Sequence, residues 1–178
     1  KFKFYRMKRI IPIVVFLVFL TSCNQTKIAY VDIQEIMKEY KGTKETEEAL
    51  KAKQEKLGAE LDSLIVGWQT RAQSFDKEAA KLSPNVRGER QQILMQEQQA
   101  IRQHQQDLQL QLQKEGEESV KVITKAIDSF VQGYAKTKGY NFVLGTSEDT
   151  KAVLFADKEA DITEDVLLQL NKSYKGKE

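Results

Sequence analysis

The chain has 178 residues, 30% of them charged and 40% hydrophobic, with one Cys, one His and two Pro. A single Cys and a single His exclude a disulfide framework and a Cys- or His-rich metal centre, so no metal and no cofactor is expected. The formal charge of +2 is 28 Lys and Arg against 26 Asp and Glu, yet residues 1–22 hold five of those bases and no acid, leaving 23 against 26, or −3, for the remainder, and a small, interspersed charge of that kind offers no footprint for nucleic acid.

In chain order, residues 1–22 read as a targeting signal. Lys8 and Arg9 follow Met7, which reads as the initiator with residues 1–6 upstream of it, and residues 10–20 form an apolar run of 11. That is too short for a bilayer, which needs roughly 20 apolar residues. The run ends Leu20-Thr21-Ser22-Cys23, which resembles a bacterial lipobox. The resemblance implies cleavage before Cys23, lipidation of Cys23 and a membrane anchor, with residues 23–27 as lipidated Cys and tether. Asn24, where inner-membrane signals of this kind hold Asp, favours the outer membrane.

Residues 27–31 are β-branched and aromatic and predict a short strand, with Asp32 placed to cap a helix. Ile33, Ile36, Met37 and Tyr40 recur at helical spacing, and the helix is expected to pass Gly42 at a cost of about 1 kcal/mol. Leu61, Ile65, Trp68, Ala72, Phe75, Ala79 and Leu82 then follow a 4-3 spacing that requires a partner helix. Ser83-Pro84-Asn85 folds the chain back, because Pro84 suits a first helical turn and pushes Ser83 out of helical geometry. The two helical stretches, 34–82 and 86–138, thus form a hairpin, with arm 41–119 and tip 83–85. Trp68 and Phe75 read as seam packing before client contact, and Lys77, Lys81, Arg87 and Arg90 make a basic cluster at the tip.

The return stretch is rich in Gln, and residues 108–113 alternate Leu and Gln. Both residues are good helix formers, so helix is expected there. Its seam is thin, supplied by Ile93, Leu94, Ile101, Leu108 and Leu112, and thickens near the base with Val120, Val122, Ile123, Ala126, Ile127, Phe130, Val131 and Tyr134. Gly139 closes the helix. Strands are expected at 140–144 and 152–156, then capping chemistry at 161–164 and a short helix with Val166, Leu167 and Leu170 on one face. The base, 28–40 with 120–178, has open strand edges and little apolar content, which calls for self-association through Ile28, Tyr30, Phe142, Leu144, Val153 and Phe155.

No phosphate-binding loop or nucleophile elbow is present, so neither a nucleotide nor a reaction is expected. His104 reads as an exposed or seam residue, and the paired carboxylates Glu47-Glu48 and Glu117-Glu118 read as solvated helix faces.

This order of parts resembles the Skp (OmpH-like) family of periplasmic chaperones. The resemblance rests on Ile28-Ala29-Tyr30-Val31-Asp32 entering a helix, a long hairpin, then Gly139-Tyr140-Asn141-Phe142-Val143-Leu144, Val153-Leu154-Phe155-Ala156-Asp157 and Asp161-Ile162-Thr163-Glu164-Asp165-Val166. It implies a mainly α fold with a small β body: a coiled-coil tentacle on a β-barrel-like oligomerisation base, assembled as a homotrimer. It further implies an ATP-independent holdase for unfolded outer-membrane proteins in the periplasm. The chain departs from that pattern in its lipobox and its slightly acidic mature charge, so no lipopolysaccharide site is carried over. The rival expectation is a structural coiled-coil envelope lipoprotein that holds no client.

Overall fold

The computed structural model describes residues 26–176; the run read above as a targeting signal and Cys23 lie outside the described residues. Strand β1 (Ile28–Asp32) ends on Asp32, whose carboxylate accepts the Glu35 N–H at 3.0 Å and caps helix α1 (Ile33–Glu39). The cap satisfies one of the amides that a helix start leaves open. Helix does run through Gly42, as expected, but it is not continuous from Ile33. Tyr40 is extended (φ −67°, ψ 129°) and helix α2 (Lys41–Glu78) starts afresh beyond it. The Tyr40 ring folds back over Gly42, where an added Cβ would stand 2.6 Å from a ring carbon, and meets Tyr174 edge-on at 5.4 Å between centroids. Gly42 is therefore a packing contact, and the helix breaks two residues before it.

A 3-10 turn (Ala79–Lys81) and extended Ser83 lead to Pro84, the first residue of helix α3 (Pro84–Lys138), which returns over 55 residues. The Leu-Gln alternation is helical, because propensity prevails where no sheet lies alongside. Gly139 ends α3 at φ 73°, a left-handed geometry that a Cβ disfavours.

Strand β2 (Phe142–Thr146) begins two residues later than the strand expected at 140–144. Tyr140 and Asn141 are used in closing the helix. The Tyr140 N–H donates to the Ala135 carbonyl at 2.9 Å, and Asn141 and Lys27 exchange two bonds of 2.8 Å. β2 pairs in parallel with β1, Ile28 opposite Phe142 and Tyr30 opposite Leu144. A parallel pair needs a long crossover, and here the crossover is the whole hairpin.

The strand expected at 152–156 does not form; that segment has no regular structure, and Leu154 and Phe155 are 89% and 87% exposed. At Tyr30 both edges of β1 are occupied, by β2 and by the Asp161–Ile162 bridge, where the Ile162 N–H donates to the Tyr30 carbonyl at 3.0 Å. A third strand outside β2 would gain ladder bonds but no apolar cover within one chain.

After a 3-10 turn (Lys158–Ala160), helix α4 (Thr163–Ser173) packs on the body. The capping expected at 161–164 takes another form. Asp161 accepts from the Thr163 N–H (3.0 Å) and hydroxyl (2.6 Å), while the Thr163 hydroxyl oxygen accepts the Asp32 N–H (2.9 Å). This staples the start of α4 to the end of β1. The core gathers Ala29 and Val31 from β1, Ile36 from α1, Ile123, Ile127 and Tyr134 from α3, and Val166 and Leu170 from α4. The fold is mainly α with a small β body; within one chain that body is a two-stranded pair.

Candidate functional site

Two surfaces carry the architecture outward: the arm and the uncovered face of the strands. On α2, Leu61 is buried and Ile65, Trp68, Ala72 and Phe75 are half-buried, as are Ala79 and Leu82 in and just after the 3-10 turn that follows. On α3, Leu108 is buried and Leu94, Ile101 and Leu112 are half-buried. The Trp68 indole N–H donates to the Leu94 carbonyl at 2.9 Å, which ties the ring across the two helices. Ile93, assigned to the seam from spacing, is exposed, as are Val120, Val122 and Ala126 near the base. There the core touches only one stripe of α3, the one bearing Ile123, Ile127, Phe130, Val131 and Tyr134.

The seam also contains charges that hydrophobic spacing does not reveal. Lys53 Nζ bonds both carboxylate oxygens of Glu115 (2.5 and 2.7 Å), and Arg71 Nε meets Glu97 at 3.1 Å. The Lys53 ammonium holds the Glu115 carboxyl below its ordinary range. Lys53 to Arg71 and Glu97 to Glu115 are each 18 residues apart (71 − 53 and 115 − 97), which is five helical turns. The two ion pairs therefore repeat along one face, and that matched spacing was the signal available in the sequence.

At the tip Lys77, Lys81, Arg87 and Arg90 are all exposed. Arg90 pairs with Glu78 at 2.9 Å and Arg87 donates to the Leu82 carbonyl at 3.3 Å, so the two arginines brace the turn. A groove behind them is lined by Phe75, Ile93 and Leu94 between the charged pairs of Arg71 and Arg90. His104 is exposed, and no metal-ligating cluster exists among the described residues.

At the body, alternation along each strand sorts the side chains. Ala29 and Val31 are buried, whereas Ile28, Phe142 and Leu144 are 52%, 58% and 44% exposed. Ile28 pairs with Phe142, and half-buried Tyr30 pairs with Leu144, so the four share one face. Burial and the neighbouring Asp161 push the Tyr30 hydroxyl above its ordinary pKa. Val153 is half-buried and Phe155 projects from the segment beside them in sequence. An exposed apolar strip of this kind marks a surface that gains by being covered.

At the far end of the body, Tyr134 and Tyr140 stack 6.3 Å apart, with Lys27 Nζ 4.1 Å from the Tyr140 ring centroid. The Tyr134 hydroxyl donates to Asp165 in a short bond, which lowers the Asp165 pKa, while burial and that same bond raise the Tyr134 pKa.

Among the described residues no helix is long and apolar enough to cross a membrane. Comparison with known proteins gives one family and one fold. A model of the family described as outer membrane protein (OmpH-like) matches residues 27–170. Among solved structures, an OmpH-like protein from Caulobacter crescentus CB15, provisionally named an outer membrane chaperone, superposes with a TM-score of 0.77. The match is 15% identical and covers 86% of this chain and 88% of that one, so it speaks to the fold. A search of curated proteins finds no match. With a family model covering most of its length and an arm and body of the matching fold, the chain belongs to the OmpH-like outer membrane protein family.

Proposed function

We propose that this protein is an ATP-independent periplasmic holdase that binds unfolded outer-membrane proteins, works as a homotrimer and is tethered to a membrane, the outer one by the Asn24 reading, through lipidated Cys23. The observation that carries the reading is the arm. Helices of 38 and 55 residues leave a small body as a hairpin held by a thin seam, with Leu64, Val66, Ile93, Met95 and Leu110 exposed along it. No pocket for one ligand is needed. Many weak apolar contacts, linked on one scaffold, raise the effective concentration of binding sites around an unfolded chain. Preferential binding of the unfolded state opposes aggregation without energy input. The name given to the Caulobacter structure and the family membership support the same class of role.

Self-association would cover the strip of Ile28, Tyr30, Phe142 and Leu144 and offer 152–156, with Val153 and Phe155, a neighbouring strand to join; this is how a two-stranded body would become a closed barrel. Residues 24–178, purified without the anchor, test the function directly. Light scattering should give the mass of three chains, and the trimer should suppress aggregation of an unfolded outer-membrane β-barrel protein diluted from urea, without nucleotide. A well-folded trimer with no effect on several such clients would make the protein an envelope spacer.

A further inference from the structure

The chain enters the body at Lys27, just ahead of β1. Lys27 is hydrogen-bonded to Asn141 in both directions, and its Nζ donates to the carbonyl of Lys138, the last residue of α3, at 3.1 Å. The entry point is therefore at the foot of α3, while the hairpin tip is at its head. A 55-residue helix separates the two, about 80 Å at 1.5 Å per residue. Only residues 24, 25 and 26 stand between Cys23 and Lys27, and four Cα steps span at most about 14 Å.

We infer that the protein stands on the membrane by its body, with the foot of α3 against the lipid headgroups and the hairpin tip held far from them. The inference rests on the lipid anchor and trimer proposed above and adds the partner surface and its polarity. A single short tether would act as a swivel. Three such tethers around a threefold axis limit how far that axis tilts from the membrane normal, since a large tilt would stretch at least one tether beyond its contour length. The chemistry of the foot fits anionic headgroups. Lys27, Lys136 and exposed Lys138 gather there beside Tyr140; Lys138 approaches Asp165 at 3.8 Å, and Lys136 takes part in no ion pair among the described residues. The basic tip cluster would then face the aqueous space, where clients arrive.

The test uses the full-length protein purified from membranes and reconstituted into vesicles of phosphatidylethanolamine and phosphatidylglycerol carrying a headgroup acceptor dye. A donor is attached at Ser83→Cys, at the tip, or at Thr137→Cys, at the foot, both exposed positions. Energy transfer should be several-fold greater from the foot than from the tip, at low and at physiological salt. Equal transfer, or greater transfer from the tip, would overturn the standing orientation. Mass spectrometry of the N-terminal peptide separates the two readings: an unacylated Cys23 would overturn anchor and orientation together, whereas an acylated protein with a strongly transferring tip would overturn the orientation alone.

Discussion

Tyr134 and Asp165 tie the foot of α3 to the start of α4, and each holds the other in the protonation state that bonds. Asp165 is depressed in the fold, so its contribution is present above the ordinary carboxyl pKa, near 4, and is lost as pH falls through the lowered value. Tyr134 is raised, so its contribution is present below the ordinary phenol pKa, near 10, and is lost as pH rises through the raised value. Thermal melts should show a plateau between these limits with losses on both sides. Tyr134→Phe should lower stability by about 1 kcal/mol at neutral pH, a charged hydrogen bond discounted for the half-exposed carboxylate, and should flatten the alkaline limb. At Gly42 geometry overrides propensity. Ala is the better helix former by about 1 kcal/mol, yet its Cβ would collide with the buried Tyr40 ring. Gly42→Ala should therefore destabilise by about 1–3 kcal/mol, the usual range for overpacking, read as a lowered denaturant midpoint.

Among the elements, the hairpin and the body differ in how firmly they are held. The body end of α3 packs Ile123, Ile127 and Tyr134 into the core, whereas along the arm beyond Thr46 the buried side chains are Leu61 and Leu108, each still 9% exposed. Amides between the tip and Leu108 should exchange with solvent faster than those after Ile123, because opening free energy follows buried apolar contact. The ion pairs set the register of the two helices: polar groups in a seam specify alignment more than they stabilise it. Lys53→Glu would set a second carboxylate against Glu115, and Glu115→Lys a second ammonium group against Lys53. Each single reversal should lower the melting temperature of the arm at low salt, and the double reversal should restore it, the non-additivity measuring the coupling.

For the whole molecule, the decisive question is what covers the strand face. Ile28, Phe142 and Leu144 lie on one side of a pair too small to be stable alone. Phe142→Asp, paired with Ile28→Asp, should convert the proposed trimer to monomer in sedimentation velocity while the buried face of Ala29 and Val31 keeps the body folded. An unchanged trimer would place the interface elsewhere. Replacing Val153 and Phe155 by Asp asks separately whether 152–156 joins the assembly. Cys23→Ser should release the protein from membranes and abolish acyl labelling.

Local chemistry wrote much of this fold into the sequence. The strand ended by Asp32, the turn at Ser83-Pro84, the left-handed Gly139 and the 4-3 spacing from Leu61 to Leu82 each act within a few residues, so reading the chain finds them. What escaped that reading depends on partners distant in sequence. The break at Tyr40 exists because Tyr174 and Gly42 receive its ring. The shift of β2 exists because Asn141 meets Lys27, 114 residues away. The region 152–156 has strand composition but no neighbour to pair with, since a strand, unlike a helix, cannot satisfy its backbone alone. Propensity and capping are properties of short segments and were legible; pairing, burial and the placement of the entry at the foot of the arm were decided by tertiary contact.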